Sequence, residues 1–277
     1  MDRKEIMARV EEHYKYLESL GYEVVCTCLQ GSQNYGLDEY SEEYCSDIDT
    51  KSIILPKLKD FIMASPPVSK VEVMDNDEHA EVKDIRVMFE MFKKMNLSYI
   101  ELLYSKYVYI NPRWVDYIYN MFLYRDEIAS YNRNQFLRCI AGMAMEKQKA
   151  LCHPYPNTME KIEKYGYDGK QLHHCARLFE FIRRYVDGEP LAACYISQER
   201  DELMHYKKQE DIDGSPLSKD GAEVFCDQLV KFIVRIKNDF LLAQEPINEK
   251  SAEILDDIKY EILKEQMRRE LAWGEIK

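Results

Sequence analysis

The spacing of apolar residues divides the chain into two parts at about residue 110. In the first part, short apolar runs bounded by turn residues alternate with amphipathic stretches, which predicts strands interleaved with helices. In the second part, apolar residues recur at helical spacing almost to the end. The pattern therefore predicts an α/β (α+β) domain over residues 1–110 and an all-α domain over residues 111–277.

Turn and cap residues indicate where the individual elements begin and end. Pro56 suits the first turn of a helix, and Gly21 suits the position just after one. The predicted strands cover residues 22–29, 47–55, 79–85 and 107–110, with a weaker alternation over 68–74. The predicted helices cover residues 2–20, 56–63, 85–95, 99–104, 112–128, 132–151, 168–187, 197–208, 218–243 and 248–272.

Composition is typical of a folded protein without a membrane span. Apolar residues make up 46% of the 277 residues, enough for a core. No apolar run reaches the roughly 20 residues of a membrane helix. The charged N-terminus does not resemble a signal peptide, so a cytoplasmic location is expected. The eight cysteines form no C-x-x-C pair and are expected to be reduced and buried.

Charge is unevenly distributed along this acidic chain. Its 38 basic and 50 acidic side chains give a net charge of −12, which opposes a broad nucleic-acid footprint. Residues 1–110 carry 13 basic and 21 acidic side chains, whereas residues 124–184 carry 11 basic and 7 acidic ones. One interpretation is an acidic part suited to a metal ion and a basic part suited to phosphate; the other is ordinary surface variation.

Two aspartates at the start of the second predicted strand are the first candidates for chemistry. Asp47 and Asp49 lie two residues apart, so in a strand both point to one face while Ile48 points to the core. Adjacent carboxylates repel unless a cation lies between them, and Mg²⁺ binds carboxylates together with substrate phosphates. Gly31 and Ser32 form a small turn whose backbone N–H groups suit phosphate. A solvated strand edge would also explain a lone D-x-D.

The order of these residues resembles a known superfamily. Gly31-Ser32 followed by Asp47-Ile48-Asp49 looks like the signature of the polymerase-β-like nucleotidyltransferases. The longer segment, GSQNYGLDEYSEEYCSDIDTKSIIL, is similar to a bacterial and phage branch with G-S-x-x-x-G followed by S-D-x-D. The chain departs from that branch in an acidic insertion, residues 38–44. The resemblance implies a small mixed sheet flanked by helices and a site for Mg²⁺ or Mn²⁺.

The resemblance also implies a third carboxylate on the strand before an amphipathic helix. The segment EVKDIRVMFEMFKKMNLSYIELLYS looks like the corresponding segment of the branch, and it offers Glu81 and Asp84. Glu81 is in mid-strand and is preferred, because Asp84 is well placed to cap the next helix. The two residues cannot share a face of a regular strand. The predicted catalytic residues and metal ligands are Asp47, Asp49 and Glu81.

A second group of candidates lies on one predicted helix. Lys170, His174 and Arg177 are spaced i, i+4 and i+7 and form one stripe, which suits a triphosphate or is simply a solvated face. The segment YGYDGKQLHHCARL resembles the second signature of the branch, which favours phosphate binding. Gln171 stands where the branch often has histidine, and His173 is expected to be structural. The predicted nucleotide-binding residues are Gly31, Ser32, Lys170, His174 and Arg177.

Together these features predict a Mg²⁺- or Mn²⁺-dependent nucleotidyltransferase. It would move a nucleoside monophosphate from an NTP, expected to be ATP, to an acceptor hydroxyl and release pyrophosphate. The resemblance implies an RNA end, such as a tRNA 3′ end, as acceptor; a protein or small-molecule hydroxyl stays open. The alternative is a non-catalytic or antitoxin-like protein that binds a nucleotide or a partner. The last predicted helix either covers the core or mediates oligomerisation.

Overall fold

The first part of the chain folds around a mixed sheet in a computed structural model that describes residues 1–41, 45–241 and 246–274. The strands are β1 (Glu23–Gln30), β2 (Asp49–Leu55), β3 (Ser69–Val73), β4 (His79–Asp84) and β5 (Val108–Ile110). Their order is β3-β4-β2-β1-β5; β2 and β4 are parallel, and the other neighbours are antiparallel. The acidic insertion predicted at residues 38–44 lies partly outside the described residues.

Helices account for most of the remaining chain. In sequence order they are α1 (Arg3–Ser19), α2 (Ser32–Tyr35), α3 (Leu58–Ile62), α4 (Ile85–Lys93), α5 (Leu97–Ile100), α6 (Val115–Leu123), α7 (Arg125–Ala129), α8 (Arg133–Ala150), α9 (Met159–Tyr165), α10 (Gly169–Val186), α11 (Leu191–Cys194), α12 (Arg200–Lys207), α13 (Lys219–Leu241) and α14 (Glu249–Gly274). A short 3₁₀ helix, Glu101–Tyr104, follows α5. No helix among the described residues is long and apolar enough to cross a membrane.

Packing contacts divide the chain into two compact units. The first unit contains Met1–Asn34, Asp38–Asn132 and Ile247–Lys277, and therefore the sheet, α1, α3 to α7 and α14. The second unit contains Tyr35–Leu37 and Arg133–Pro246, and therefore α8 to α13. The domains predicted from the sequence, 1–110 and 111–277, stay a prediction.

The last helix belongs to the sheet-containing unit. α14 packs against α3, α4, α6 and α7, and its buried apolar residues include Leu255, Ile258 and Ile262. The Ser251 hydroxyl donates to the carbonyl oxygen of Glu127 at 2.6 Å, which fixes the start of α14. Within the first unit, α14 therefore covers the core, which is one of its two predicted roles. Oligomerisation through it stays a prediction.

Helix α1 covers one face of the sheet. Two apolar clusters join it to that face, and their buried members are Ile6, Val10, Tyr14, Leu17, Val24, Leu29, Ile48, Ile54, Ala80 and Val82. Side chains alternate along a strand, so Asp49, Lys51 and Glu81, which lie between these residues on β2 and β4, point to the opposite face. That opposite face is therefore where the candidate chemistry of the first unit lies.

The predicted fold class, α/β with a small mixed sheet followed by helices, is confirmed. Several of the predicted elements differ from those of the structure. β2 begins at Asp49 rather than Asp47, and the helix predicted over 112–128 is interrupted at Tyr124, between α6 and α7. α9 and α11 were not predicted, because α9 buries none of its residues and α11 is a single turn, so neither shows a helical stripe.

Candidate functional site

The turn between β1 and α2 lies beside the two aspartates. β1 and β2 are antiparallel, and the last residue of β1, Gln30, is paired with Asp49. Gly31 follows with a φ of +116°, a backbone conformation that favours glycine. Ser32 then begins α2. Strand pairing therefore brings the predicted turn and the predicted aspartates together at one end of the sheet.

Two buried amide side chains, which were not singled out from the sequence, fix this turn. Gln33 Nε2 donates to the carbonyl oxygen of Asp47 at 2.9 Å and to the Tyr40 hydroxyl at 3.0 Å. Asn34 Nδ2 donates to the carbonyl oxygen of Leu29 at 2.8 Å. Both amides lie inside the G-S-x-x-x-G motif, and this position in the motif could have identified them from the sequence. They connect the turn directly to the backbone of the aspartate pair.

Asp47 and Asp49 flank a residue that is in the core. Ile48 is 0% exposed, whereas Asp47 is exposed and the Asp49 side chain is 43% exposed. Asp49 Oδ1 accepts the N–H of His79 at 3.1 Å and lies 3.3 Å from His79 Nδ1. The Asp47 carboxylate has no hydrogen bond or ion pair with another described residue. The pair therefore presents carboxylate oxygens that a ligand can reach.

A buried histidine holds the residues next to this pair. His13 of α1 is 0% exposed; its Nε2 donates to Glu78 Oε2 at 2.9 Å, and its Nδ1 is hydrogen-bonded to the Thr50 hydroxyl at 2.9 Å. The Glu78 carboxylate only accepts, so the proton lies on Nε2. Glu78 precedes His79 and Thr50 follows Asp49, so His13 joins the two backbone segments that meet in the His79–Asp49 contact.

Glu81, the preferred third carboxylate, is engaged by two lysines and a phenol. The Tyr99 hydroxyl donates to Glu81 Oε1 at 2.8 Å, and Lys83 Nζ lies 2.9 Å from the same oxygen. Lys51 Nζ lies 3.3 Å from Oε2. Burial raises the pKa of Glu81, but Lys51 and Lys83 outweigh it and hold that pKa below its usual value. Glu81 is thus the anionic centre of a compact ion-pair group.

Asp47, Asp49 and Glu81, the three predicted metal ligands, have different surroundings in the structure. In the part of the chain that the structure describes, no three His, Cys, Asp or Glu side chains are arranged to hold a metal ion. Asp47 and Asp49 alone fit Mg²⁺, which is often bound by one or two carboxylates together with substrate phosphates. The alternative, Asp84, is 2% exposed and caps α4 by accepting the Arg86 N–H at 2.9 Å. Glu81 as a metal ligand stays a prediction.

Replacing Glu81 with glutamine is expected to lower the free energy of unfolding by about 2 kcal/mol without metal or nucleotide, because the Lys51 ammonium loses its carboxylate. Lys51 is 5% exposed, so water cannot replace that partner fully. Urea unfolding of metal-free protein measures the change. The control is Glu90→Gln on α4, which is exposed and lies 3.9 Å from its lysine partner. If both variants lose equal stability, the ion-pair group does not stabilise the fold.

The second group of candidates lies on α10, in the second unit. Lys170 is exposed, and His174 and Arg177 further along the helix are partly exposed. The neighbouring His173 is buried, and its Nδ1 donates to the carbonyl oxygen of Leu203 at 2.8 Å. Burial lowers the pKa of His173 to about 4, so its ring is neutral at pH 7. His173 therefore has the structural role expected of it, and the stripe consists of the other three residues.

Positive charge is concentrated around His174. Burial, the neighbouring His173 ring and the cations Arg177, Lys147 and Lys170 together lower the pKa of His174 well below its usual value. Its neutral ring keeps one N–H donor and one acceptor nitrogen. Lys147 belongs to α8 and was not predicted from the sequence.

Arg177 carries an unused hydrogen-bond donor. Its guanidinium lies 3.9 Å from the centroid of the Tyr35 ring, and its Nε is buried without a hydrogen-bond partner. A buried polar group without a partner is rare in folded proteins and often indicates a place for water, an ion or a ligand. Tyr35 belongs to the second unit, although it follows Ser32 by three residues in the sequence.

Comparison with known proteins gives no family assignment. No family model matches the chain, and no curated protein is significantly similar to it in sequence. Among solved structures, one similar chain is the crystal structure of a nucleotidyltransferase-like protein from Exiguobacterium sibiricum 255-15. The two share 9% identity and a TM-score of 0.33, over 79% of this chain and 72% of that one. Similarity at this level does not establish a common fold.

Proposed function

We propose that this chain is a metal-dependent nucleotidyltransferase that transfers a nucleoside monophosphate from an NTP to an acceptor hydroxyl. The observation that carries the proposal is the pair of accessible carboxylates, Asp47 and Asp49, placed beside the Gly31-Ser32 turn by the pairing of β1 with β2. The resemblance of this segment to the polymerase-β-like signature supports the same reaction.

Asp47 and Asp49 would hold the metal ion. A bound Mg²⁺ or Mn²⁺ supplies positive charge that activates the acceptor hydroxyl and stabilises the departing pyrophosphate. The chain's own residues fix the backbone of Asp47 and one carboxylate oxygen of Asp49 before any ion binds. Gln33 Nε2 holds the Asp47 carbonyl oxygen at 2.9 Å, and the His79 N–H holds Asp49 Oδ1 at 3.1 Å. Positioned ligands of this kind reduce the reorganisation that the reaction requires.

Each unit has its own residues suited to phosphate. On the first unit, Gly31 lacks a side chain and lets a phosphate approach the backbone N–H groups of the turn. On the second unit, Lys170 supplies a point charge, Arg177 an unused N–H donor and His174 a neutral donor. In the reaction, the acceptor oxygen bonds to the α-phosphorus while the bond from that phosphorus to the bridging oxygen breaks. Pyrophosphate leaves, and the hydroxyl proton passes to solvent.

The proposed acceptor is an RNA end, such as a tRNA 3′ end, with ATP as the nucleotide. This choice rests on the resemblance to the superfamily. The net charge of −12 opposes a long RNA footprint, so contact would be restricted to a terminus. A protein hydroxyl and a small-molecule hydroxyl are the other acceptors that the experiment has to cover.

The deciding experiment follows a label on the α-phosphate of each NTP. The protein is incubated with Mg²⁺ or Mn²⁺ and, in separate reactions, with total RNA, lysate protein or a small-molecule extract. Label from the α-phosphate is expected in the RNA, label from the γ-phosphate is not, and a chelator should abolish transfer. Label in protein or in a small molecule would support the proposed reaction but show that the acceptor is not RNA. Nucleotide binding without any transfer would favour the non-catalytic alternative.

A further inference from the structure

Lys147 and Lys149 lie on the same helix but in different surroundings. Their helix, α8, packs along α10 in the second unit. Lys147 is partly buried, whereas Lys149 is exposed. Burial lowers the pKa of Lys147; Glu146 opposes that effect, and Lys170 and Arg177 add to it. Lys147 also follows the buried Ile140 and Ala144 at helical spacing, so it lies on the side of α8 that packs against α10 and α13.

The described carboxylates make no ion-pair contact with these cations. Within the described ranges, none of Lys147, Lys170 and Arg177 forms an ion pair with a carboxylate. Asp168 is nearby, but its side chain is used as the N-cap of α10, where it accepts the Lys170 backbone N–H at 3.1 Å.

Two other cations of α10 do form ion pairs with carboxylates. Arg183 pairs with Glu199 at 2.6 Å, and Arg184 pairs with Glu180 at 3.1 Å. Carboxylates are plentiful in this chain, which has 50 acidic side chains and a net charge of −12. Neighbouring unpaired cations repel one another, and the repulsion is relieved when an anion binds between them. The contrast along α10 therefore indicates an anion site rather than an ordinary charged surface.

We propose that Lys147 is a further phosphate-binding residue, which joins Lys170, His174 and Arg177 in a site for a linear polyphosphate such as the triphosphate of a nucleotide. The proposal rests on the proposed function and deepens it. Lys147 comes from a second helix, so the site offers charge from two directions and suits more than one phosphate group. A bound phosphate oxygen would also accept from the buried Arg177 Nε.

Inorganic tripolyphosphate, titrated into the full chain by calorimetry without metal, tests this proposal. Lys147→Met is expected to weaken binding about 10-fold, because it removes one charge-assisted contact. Lys149→Met, the same change two residues further on the exposed side of α8, is expected to weaken binding less than about twofold. Lys147→Arg keeps the charge and is expected to restore most of the affinity.

Three results would overturn the proposal: no binding by the unaltered protein, no loss with Lys147→Met, or equal losses with Lys147→Met and Lys149→Met. Thermal unfolding separates misfolding from lost contact, because removal of an unpaired cation should leave the midpoint unchanged or raise it. Lys147→Gln provides a second variant for the same comparison. Binding is measured with tripolyphosphate and transfer with labelled NTP, so the two proposals can fail separately. If tripolyphosphate binding depends on Lys147 but no nucleotide is transferred from NTP, only the proposed reaction is overturned. If nucleotide is transferred but tripolyphosphate binding does not depend on Lys147, only the inference about Lys147 is overturned.

Discussion

Replacement of Asp47 and Asp49 together by asparagine is expected to reduce nucleotidyl transfer by at least about 100-fold. Loss of groups that merely orient metal ligands already costs about 10- to 100-fold, and these carboxylates would be the ligands themselves. Asparagine has the same shape, and its Oδ1 can still accept the His79 N–H that now bonds Asp49. The fold should therefore survive, with a thermal midpoint that is unchanged or higher, because two carboxylates that repel each other are removed. Transfer of an α-phosphate label at saturating Mg²⁺ measures the loss.

Asp77→Asn is the matched control for this change. Asp77 is exposed in the turn between β3 and β4, and its φ of +64° is tolerated by asparagine. It should keep full transfer activity. Binding of Mn²⁺, followed by electron paramagnetic resonance, gives a second readout that the double variant should lose and Asp77→Asn should keep. Transfer by the double variant at the rate of the unaltered protein would remove Asp47 and Asp49 from the reaction.

The parts of the site that depend on local pattern could be predicted from the sequence. Alternation placed Ile48 in the core, and the structure has it fully buried between two accessible aspartates. Helical spacing put Lys170, His174 and Arg177 on one helix, which is α10. Both patterns extend over a few residues, where chain geometry alone decides which side chains share a face.

The parts that depend on contacts between distant segments could not be predicted in this way. Glu81 meets Lys51 because β2 and β4 pair in parallel with those residues in register. Lys147 and the α10 stripe belong to one unit because α8 packs along α10, and α14 returns to the first unit after the whole helical part of the chain. Periodicity reveals which face of an element is buried, but it does not reveal which partner covers that face. A predicted ligand such as Glu81 can therefore have unforeseen partners.

The largest effect on stability is expected from Arg184→Met, which should destabilise the second unit by about 3–5 kcal/mol. Arg184 is 5% exposed, and its Nη1 donates to Glu180 Oε1 at 3.1 Å and to the Ile196 carbonyl oxygen at 2.8 Å. Its Nη2 donates to Glu189 Oε2 at 2.8 Å and to the Ala193 carbonyl oxygen at 2.9 Å. Methionine fills a similar space but leaves the Glu180 carboxylate, which is 2% exposed, without its cation.

The adjacent Arg183→Met is the matched control. Arg183 is exposed and makes one ion pair, with Glu199 at 2.6 Å, so its loss is expected to cost less than about 1 kcal/mol. Combining Arg184→Met with Glu180→Leu should recover part of the lost stability, because no unpaired charge then remains buried. Recovery should be incomplete, since Glu180 also accepts from the Ser197 hydroxyl at 2.7 Å. Equal losses in urea unfolding for Arg183→Met and Arg184→Met would contradict this account.

The pH dependence of the effect has a definite sign. The Arg184 guanidinium lowers the pKa of Glu189, so this ion pair stabilises the folded state above the usual glutamate pKa. The contribution is lost as the pH falls through the lowered pKa in the folded state. The difference in stability between the unaltered protein and Arg184→Met is therefore expected to shrink in acid. The part of the difference that comes from the unpaired carbonyl oxygens of Ile196 and Ala193 does not depend on pH and remains.

Arg184 also fixes Ile196, which precedes a segment that is hydrogen-bonded to residues 35–37. The Ser197 N–H donates to the Tyr35 carbonyl oxygen at 3.0 Å, and Arg200 Nε donates to the Gly36 carbonyl oxygen at 3.0 Å. Tyr35 in turn places its ring over Arg177. Loss of the Arg184 contacts should therefore loosen the Arg177 guanidinium before the unit unfolds. At temperatures where both variants are folded, Arg184→Met is expected to weaken tripolyphosphate binding more than Arg183→Met, although neither residue belongs to the proposed phosphate site.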